Sequence, residues 1–364
     1  MRRAYTIGAA VGAAALLLGL AMRFGSALAV TLALSAPSVD AWLDRRSPPP
    51  AAEEVVIPVD GHALLADVYR PARPRGAFLL VHGLSRAGRR HPEMRRLARL
   101  LARHDRLVLV PQFEGLAAFR LSGREVEEIG AALRYLRGLD GRVGVAGFSF
   151  GAGPALLAAA GQPDLRVVGS FGGYADLRHV VSYVTTGVHR FGGHRYATRQ
   201  EEYNRWKLLA LLAGFVDDAA EHGRVQAVAE RKLDDPGADT GSLETGLGPE
   251  GRALLALAEN RREDDVEPLL DRLPPRARQA LAELSPLPAV PRLSGRILLA
   301  HGAGDDSIPF TESLRLAEAA GGRARLAILH GFHHTGPRPL WESLTLRAQD
   351  GWSLLRLADD LLAP

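Results

Sequence analysis

Gly147-Phe148-Ser149-Phe150-Gly151 sets one serine between two glycines, after the strand-like Val143-Gly144-Val145-Ala146 and before the helix-like Ala155-Leu156-Leu157-Ala158. A sharp strand-to-helix turn forces such a serine into a strained conformation, and the flanking glycines let neighbouring backbone pass close by. The hydroxyl is then presented at the carboxyl edge of a sheet. The helix start behind it offers N–H groups and a positive dipole end to developing negative charge. The chemistry this predicts is attack by Ser149 on an acyl carbon. The bare motif also arises by chance in a chain with 39 glycines, so the strand and helix around it carry the argument.

Acyl transfer needs a pair of donors for the oxyanion, and the second normally comes from the loop after an earlier strand. Val81-His82-Gly83-Leu84-Ser85 supplies that loop after Leu79-Leu80-Val81, so the backbone N–H groups of Leu84 and Phe150 are the candidate donors. His82 is expected to buttress the turn. A serine also needs a base to take its proton and a carboxylate to orient that base. Ile297-Leu298-Leu299-Ala300 runs into His301-Gly302-Ala303-Gly304-Asp305-Asp306-Ser307-Ile308-Pro309, which puts Asp305 first among the acids, with Asp306 and then Asp176 as alternatives. The competing role for Asp305 or Asp306 is to cap the helix that follows. Ala324 to Leu329 runs into His330-Gly331-Phe332-His333-His334, which makes His334 the expected base, His333 its alternative and His330 structural. Adjacent histidines point apart and no carboxylate motif accompanies them, so no metal site is expected. No cofactor is expected either.

These groups sit at the ends of elements that must position them. Val55 to Pro58 and Ala63 to Tyr69, joined around Asp60-Gly61, read as a hairpin. Buried strands are expected at Ala77 to Val81, Leu107 to Val110, Val143 to Ala146, Val167 to Phe171, Ile297 to Ala300 and Ala324 to Leu329. Helical patterns alternate with them at Glu93 to Ala102, Glu125 to Leu136, Ala152 to Ala160, Thr311 to Ala320 and Leu340 to Leu362. That alternation predicts an α/β fold with a mainly parallel sheet flanked by helices. From Leu177 to Arg292 only helical patterns appear, which reads as a helical insertion within one catalytic domain.

At 364 residues, with 47% hydrophobic and 24% charged residues, the chain is long enough for one large domain with an insertion. The formal charge of +4 is interleaved with acidic residues, as at Arg124, Glu125, Glu127, Glu128 and Arg134, so no nucleic-acid partner is expected. Cysteine is absent, which excludes disulfides and thiolate chemistry. Arg2 and Arg3 precede an apolar run from Ala4 to Met22 that approaches the ~20 residues of a membrane-crossing helix. A weaker apolar stretch runs from Phe24 to Leu43 and contains Ala27-Leu28-Ala29, a pattern open to signal peptidase. The length of the run favours an uncleaved N-terminal membrane anchor with the catalytic body outside the cytoplasm; the alternative is secretion after cleavage. Residues 1–44 are thus assigned to the anchor or signal, and 45–54, with Pro48-Pro49-Pro50, to a stiff linker.

The order Ser149, Asp305, His334, with Val81-His82-Gly83 upstream, resembles the α/β-hydrolase superfamily over residues 55–364. The resemblance implies that Asp305, ahead of Ile308-Pro309, is the triad acid and that Gly331 followed by His334 marks the base. It also implies that residues 177–292 form a helical cap over Ser149 and shape its pocket. No extended glycine run follows His82-Gly83, so the hormone-sensitive-lipase-like branch is not indicated. The expected activity is hydrolysis of carboxylic esters, including lipidic acyl substrates, through an acyl-enzyme. Two alternatives are an exopeptidase of the same fold, in which Glu201-Glu202 would grip a substrate amino group, and an inactive scaffold that binds a partner at the membrane.

Overall fold

The computed structural model describes residues 24–333, 336–337 and 344–363. The apolar run Ala4 to Met22 and the expected base His334 therefore lie outside the described residues. Among the described residues no helix is long and apolar enough to cross a membrane.

Residues 24–35 (α1) and Pro37–Arg46 (α2) form two short helices, followed by the antiparallel strands β1 (Ala52–Val59) and β2 (His62–Tyr69). The α/β body then runs β3 (Ala77–Val81), α3 (Pro92–Arg103), β4 (Leu107–Pro111), α4 (Glu114–Ala117), α5 (Arg124–Arg137), β5 (Val143–Phe148), α6 (Ala152–Ala160) and β6 (Val167–Phe171). After an insertion it resumes as β9 (Arg296–Gly302), α14 (Thr311–Ala320), β10 (Ala324–Leu329), the short pair β11 (Phe332–His333) and β12 (Gly336–Pro337), and α15 (Leu344–Leu361). The eight-stranded sheet has the order β1-β2-β4-β3-β5-β6-β9-β10 and is parallel from β4 onward. Its central strands are apolar throughout because both faces are covered. Helices α5, α6 and α14 pack on one face, and α3 and α15 on the other.

The insertion contains α7 (Leu177–Thr186), the hairpin β7 (Val188–Phe191) and β8 (His194–Ala197), α8 (Glu202–Ala213), α9 (Ala219–Asp234), α10 (Gly241–Glu244), α11 (Pro249–Glu259), α12 (Glu263–Asp271) and α13 (Pro275–Glu283). Its helices carry Trp206, Leu209, Val225 and Leu254 into the same apolar core as the sheet, so it folds as part of the body. The hairpin turns on Gly192-Gly193, both at positive φ. The expectation of helix alone missed it, because its strands are polar and short.

The N-terminal segment also differs from expectation. Residues 24–44, assigned to the anchor or signal, are docked on α3: Ala27, Val30 and Ala33 of α1 are buried with Leu100 of α3 and Ala358 of α15. The arginines of α3 fasten the pair. Arg96 binds Asp40 at 2.8 Å and the Ala33 carbonyl, while Asp44 receives Arg99 at 2.6 Å and also Arg103. The expected linker shortens to residues 47–51, since α2 reaches Arg46 and β1 begins at Ala52. Arg103 is itself buried, so its loss leaves carboxylates without their partner. Arg103→Ala is expected to weaken the docking of α1 and α2 by roughly 1–3 kcal/mol. Faster amide exchange across residues 24–46, with the sheet still protected, is the check.

Candidate active site

Phe148, Phe171 and Ala300 stand in register at the carboxyl ends of β5, β6 and β9, and Leu329 of β10 pairs with Gly302. The loops carrying Ser149, Asp305 and the histidine cluster thus leave the same edge of the sheet, where open α/β sheets bind ligands. Two strand spacings, about 10 Å, separate the serine and acid strands, so their loops must lean inward to meet.

Ser149 adopts φ 51°, a left-handed conformation that a side-chain-bearing residue rarely occupies. Residues Ser149–Gly151 form a single 3-10 turn that feeds directly into α6. Close packing holds that strain in place. A Cβ on Gly151 would collide with the His82 carbonyl, and one on Gly83 would lie 2.9 Å from the Ser149 Cβ and 3.4 Å from its Oγ. The serine turn and the loop after β3 are therefore interlocked, with the Gly83-Leu84 backbone against the nucleophile. Leu84 is half-buried, and the Phe150 ring is buried 5.8 Å from that of Tyr174, fixing the peptide that follows the serine.

Asp305 is buried. Its Oδ1 accepts the N–H groups of Ser307 and Ile308, each at 2.9 Å, and its Oδ2 lies 3.4 Å from His301 Nε2. It therefore caps its own turn, and no side chain caps α14. The Tyr183 hydroxyl donates to the Asp305 carbonyl at 2.6 Å; burial pushes that phenol up to about 12, so it stays a donor. Ser149 and Asp305 open onto one cavity. Asp306 is turned toward the insertion, its carbonyl accepting from Asn204 Nδ2 at 2.9 Å and its carboxylate oxygen 3.5 Å from Ser307 Oγ. Asp176 caps α7 through Arg178 N–H at 2.8 Å. Glu202 faces Arg261 at 3.0 Å on the surface.

His333 belongs to β11, paired with Gly336 of β12. The His330 and Gly331 N–H groups both donate to the buried Asp350 of α15, at 3.1 and 2.6 Å, which pins the start of the histidine loop. No pattern in the sequence marked this residue, since an aspartate inside a helix reads as a solvated charge. His301 is likewise buried and occupied, with Nδ1 at 2.7 Å from Ser313 Oγ and Nε2 at 2.9 Å from the Ile308 carbonyl. Among the described residues no three ligating side chains converge on a metal position.

His82 is held as the neutral Nδ1–H tautomer. Nδ1 donates to the Gly83 carbonyl at 2.8 Å, and Nε2 accepts the Phe113 N–H at 3.1 Å. Burial pushes its pKa down to about 4, because a proton on Nε2 would displace the Phe113 donor in a dry site. With an ordinary value near 6.5 in the unfolded chain, protonation favours unfolding. The contribution of His82 is present in full above pH 6.5 and is lost as pH falls toward 4, by up to about 3 kcal/mol. The His82→Asn variant is expected to show a shallower fall in denaturant-measured stability between pH 6.5 and 4.

No family model and no curated protein matches the sequence. Solved structures do. A Penicillium α/β-hydrolase, GrgF, aligns at TM-score 0.50 and 14% identity over 84% of this chain and 98% of its own. Pyrococcus horikoshii acylaminoacyl peptidase aligns at 0.48 and 13% identity over 81% of this chain, which spans 39% of that enzyme's length. The esterase domain of a Rhodothermus marinus protein aligns at 0.45 and 16% identity over 84% of this chain and 98% of its own. At 14% identity the likeness to GrgF speaks for the fold alone.

Proposed function

We propose that this chain, an α/β-hydrolase by fold, is a serine hydrolase of carboxylic esters, held at a membrane by its N-terminal segment. The observation that carries the reading is Ser149 at positive φ, opening onto the same cavity as a buried, hydrogen-bonded Asp305. Strain of about 1–3 kcal/mol persists only where surrounding packing over-determines it, and such positions cluster at functional sites. The fit between Gly83, Gly151 and the serine turn supplies that packing.

In the mechanism, His334 takes the Ser149 proton as Oγ bonds to the substrate carbonyl carbon. The Leu84 and Phe150 N–H groups hold the resulting oxyanion, and Asp305 orients the base. His334 then gives the proton to the leaving alcohol, the C–O bond breaks and the acyl group remains on Ser149. Water, deprotonated by the same histidine, releases the acid and restores the serine. Asp305 is favoured over Asp306 as the acid because Asp305 lines the cavity that Ser149 opens onto.

The docking of α1 supports an uncleaved N-terminus. A cut after Ala29 would remove Ala27, which is buried against the body. It would also leave Val30, equally buried, at a new charged terminus.

A fluorophosphonate probe is expected to label the native protein and not Ser149→Ala. Ester hydrolysis should fall by three or more orders of magnitude in Ser149→Ala and His334→Ala, and far less in His333→Ala. Absence of labelling in folded native protein identifies an inactive scaffold. Preference for aminoacyl or dipeptidyl anilides over p-nitrophenyl acyl esters moves the activity to peptide bonds. For the anchor, deletion of residues 1–23 is expected to move the protein from the membrane fraction to the supernatant.

A further inference from the structure

A cavity of about 310 Å³ extends from Ser149 and Asp305 along the sheet face that α3 and α15 cover. Its size lies at the lower end of the range for small-ligand pockets. Beyond those two residues its walls are almost wholly hydrocarbon. Phe148 and Phe171, with rings 5.2 Å apart, form the floor beside the serine. Leu97 of α3 and Leu354 and Leu357 of α15 form the sides. The remaining wall is α1, through Val30 and Leu34, in a part of the chain that precedes the α/β body. Protein interiors are close-packed, so unfilled apolar space beginning at a strained serine calls for an occupant.

We propose that this cavity is the acyl site, and that α1 is its length-determining wall: the substrate is an ester of a medium-length, unbranched hydrocarbon acid. The inference rests on the reading of Ser149 as the nucleophile. The chemistry that recognises the chain is burial of methylenes against leucine, valine and phenylalanine; His301, the other polar side chain among the described lining residues, has both ring nitrogens engaged, with Ser313 and Ile308. The acyl carbon meets Ser149 at the cavity's polar end, and the chain runs away from the insertion, between α1 and α15. The leaving alcohol is left on the opposite side, near Leu84. There a second cleft of about 250 Å³, lined by Ser85, Arg86, Tyr203 and Asp234 as well as Leu84, is polar enough to take a hydrated group.

The test is a p-nitrophenyl ester series from acetate to palmitate, run on the full chain in detergent. Burial of each methylene is worth about 0.8 kcal/mol, so kcat/KM should rise roughly fourfold per methylene until the cavity is full, with an optimum between hexanoate and decanoate. Leu34→Trp, which fills the cavity, should move the optimum to shorter chains, and Leu34→Ala should move it to longer ones. Opposite shifts from one position do not arise from loss of folding. A flat profile, an optimum at acetate, or an optimum unmoved in both variants overturns the acyl site, provided that fluorophosphonate still labels Ser149. Loss of that labelling in the native protein overturns the nucleophile reading and this one with it.

Discussion

A serine at φ 51° is a conformation the chain does not hold unaided, and the rest of the site depends on what holds it there. Two backbone contacts do so. The turn after β5 passes so close to the His82 carbonyl that only hydrogen fits on Gly151, and the loop after β3 comes close enough to Ser149 that only hydrogen fits on Gly83. The same contacts set the relation between the serine turn and the loop after β3, because neither can shift without the other. His82 completes the lock by bonding its own loop to Phe113, after β4. Three strand ends are thereby tied together before any side chain does chemistry.

Burying a carboxylate beside that turn requires donors, and Asp305 finds them in the N–H groups of its own loop, with Tyr183 of the insertion holding its carbonyl from above. The insertion is thus more than a cover: Tyr183 bonds Asp305, and Asn204 bonds Asp306. Displacing it would expose a buried acid and break its supporting bonds. On the other side, Asp350 applies the same economy to the histidine loop, with one carboxylate accepting two consecutive backbone donors. The loops that begin at Asp305 and at His330 are each fixed by backbone hydrogen bonding to a buried carboxylate.

Much of this was legible in the residues. Strands such as Ala77–Val81, Val167–Phe171 and Ala324–Leu329 agree with expectation to the residue; Ala77–Val81, covered on both faces, is written as an unbroken apolar run, and the other two are mostly apolar around Ser170 and Arg325. The serine turn was legible because a strained strand-to-helix corner demands small neighbours. Which of Asp305 and Asp306 is buried and hydrogen-bonded by its own loop was not available from spacing alone. It depends on which carboxylate turns back onto the Ser307 and Ile308 amides, a question of loop conformation. The hairpin at Val188–Ala197 escaped because its strands mix histidine, arginine and tyrosine, although Gly192-Gly193 is a turn signal.

The segment at 24–35 was the least legible, for a physical reason. Its inward residues Ala27, Val30 and Ala33 and its outward residues Leu28 and Leu32 are all apolar, so periodicity has no contrast to report and the stretch looks like membrane sequence. The structure separates the two faces. Alanines at 27 and 33 let α1 approach Leu100 of α3 closely, while the larger Val30 and Leu34 reach the cavity beside Ser149. The outward leucines, each nearly half exposed, keep an apolar surface that the described body does not cover. α1 thus packs inward on the α/β body and remains apolar outward. On the inner side Arg96, Arg99 and Arg103 clamp α2, the helix that follows, through Asp40 and Asp44, which ties the whole segment to the body.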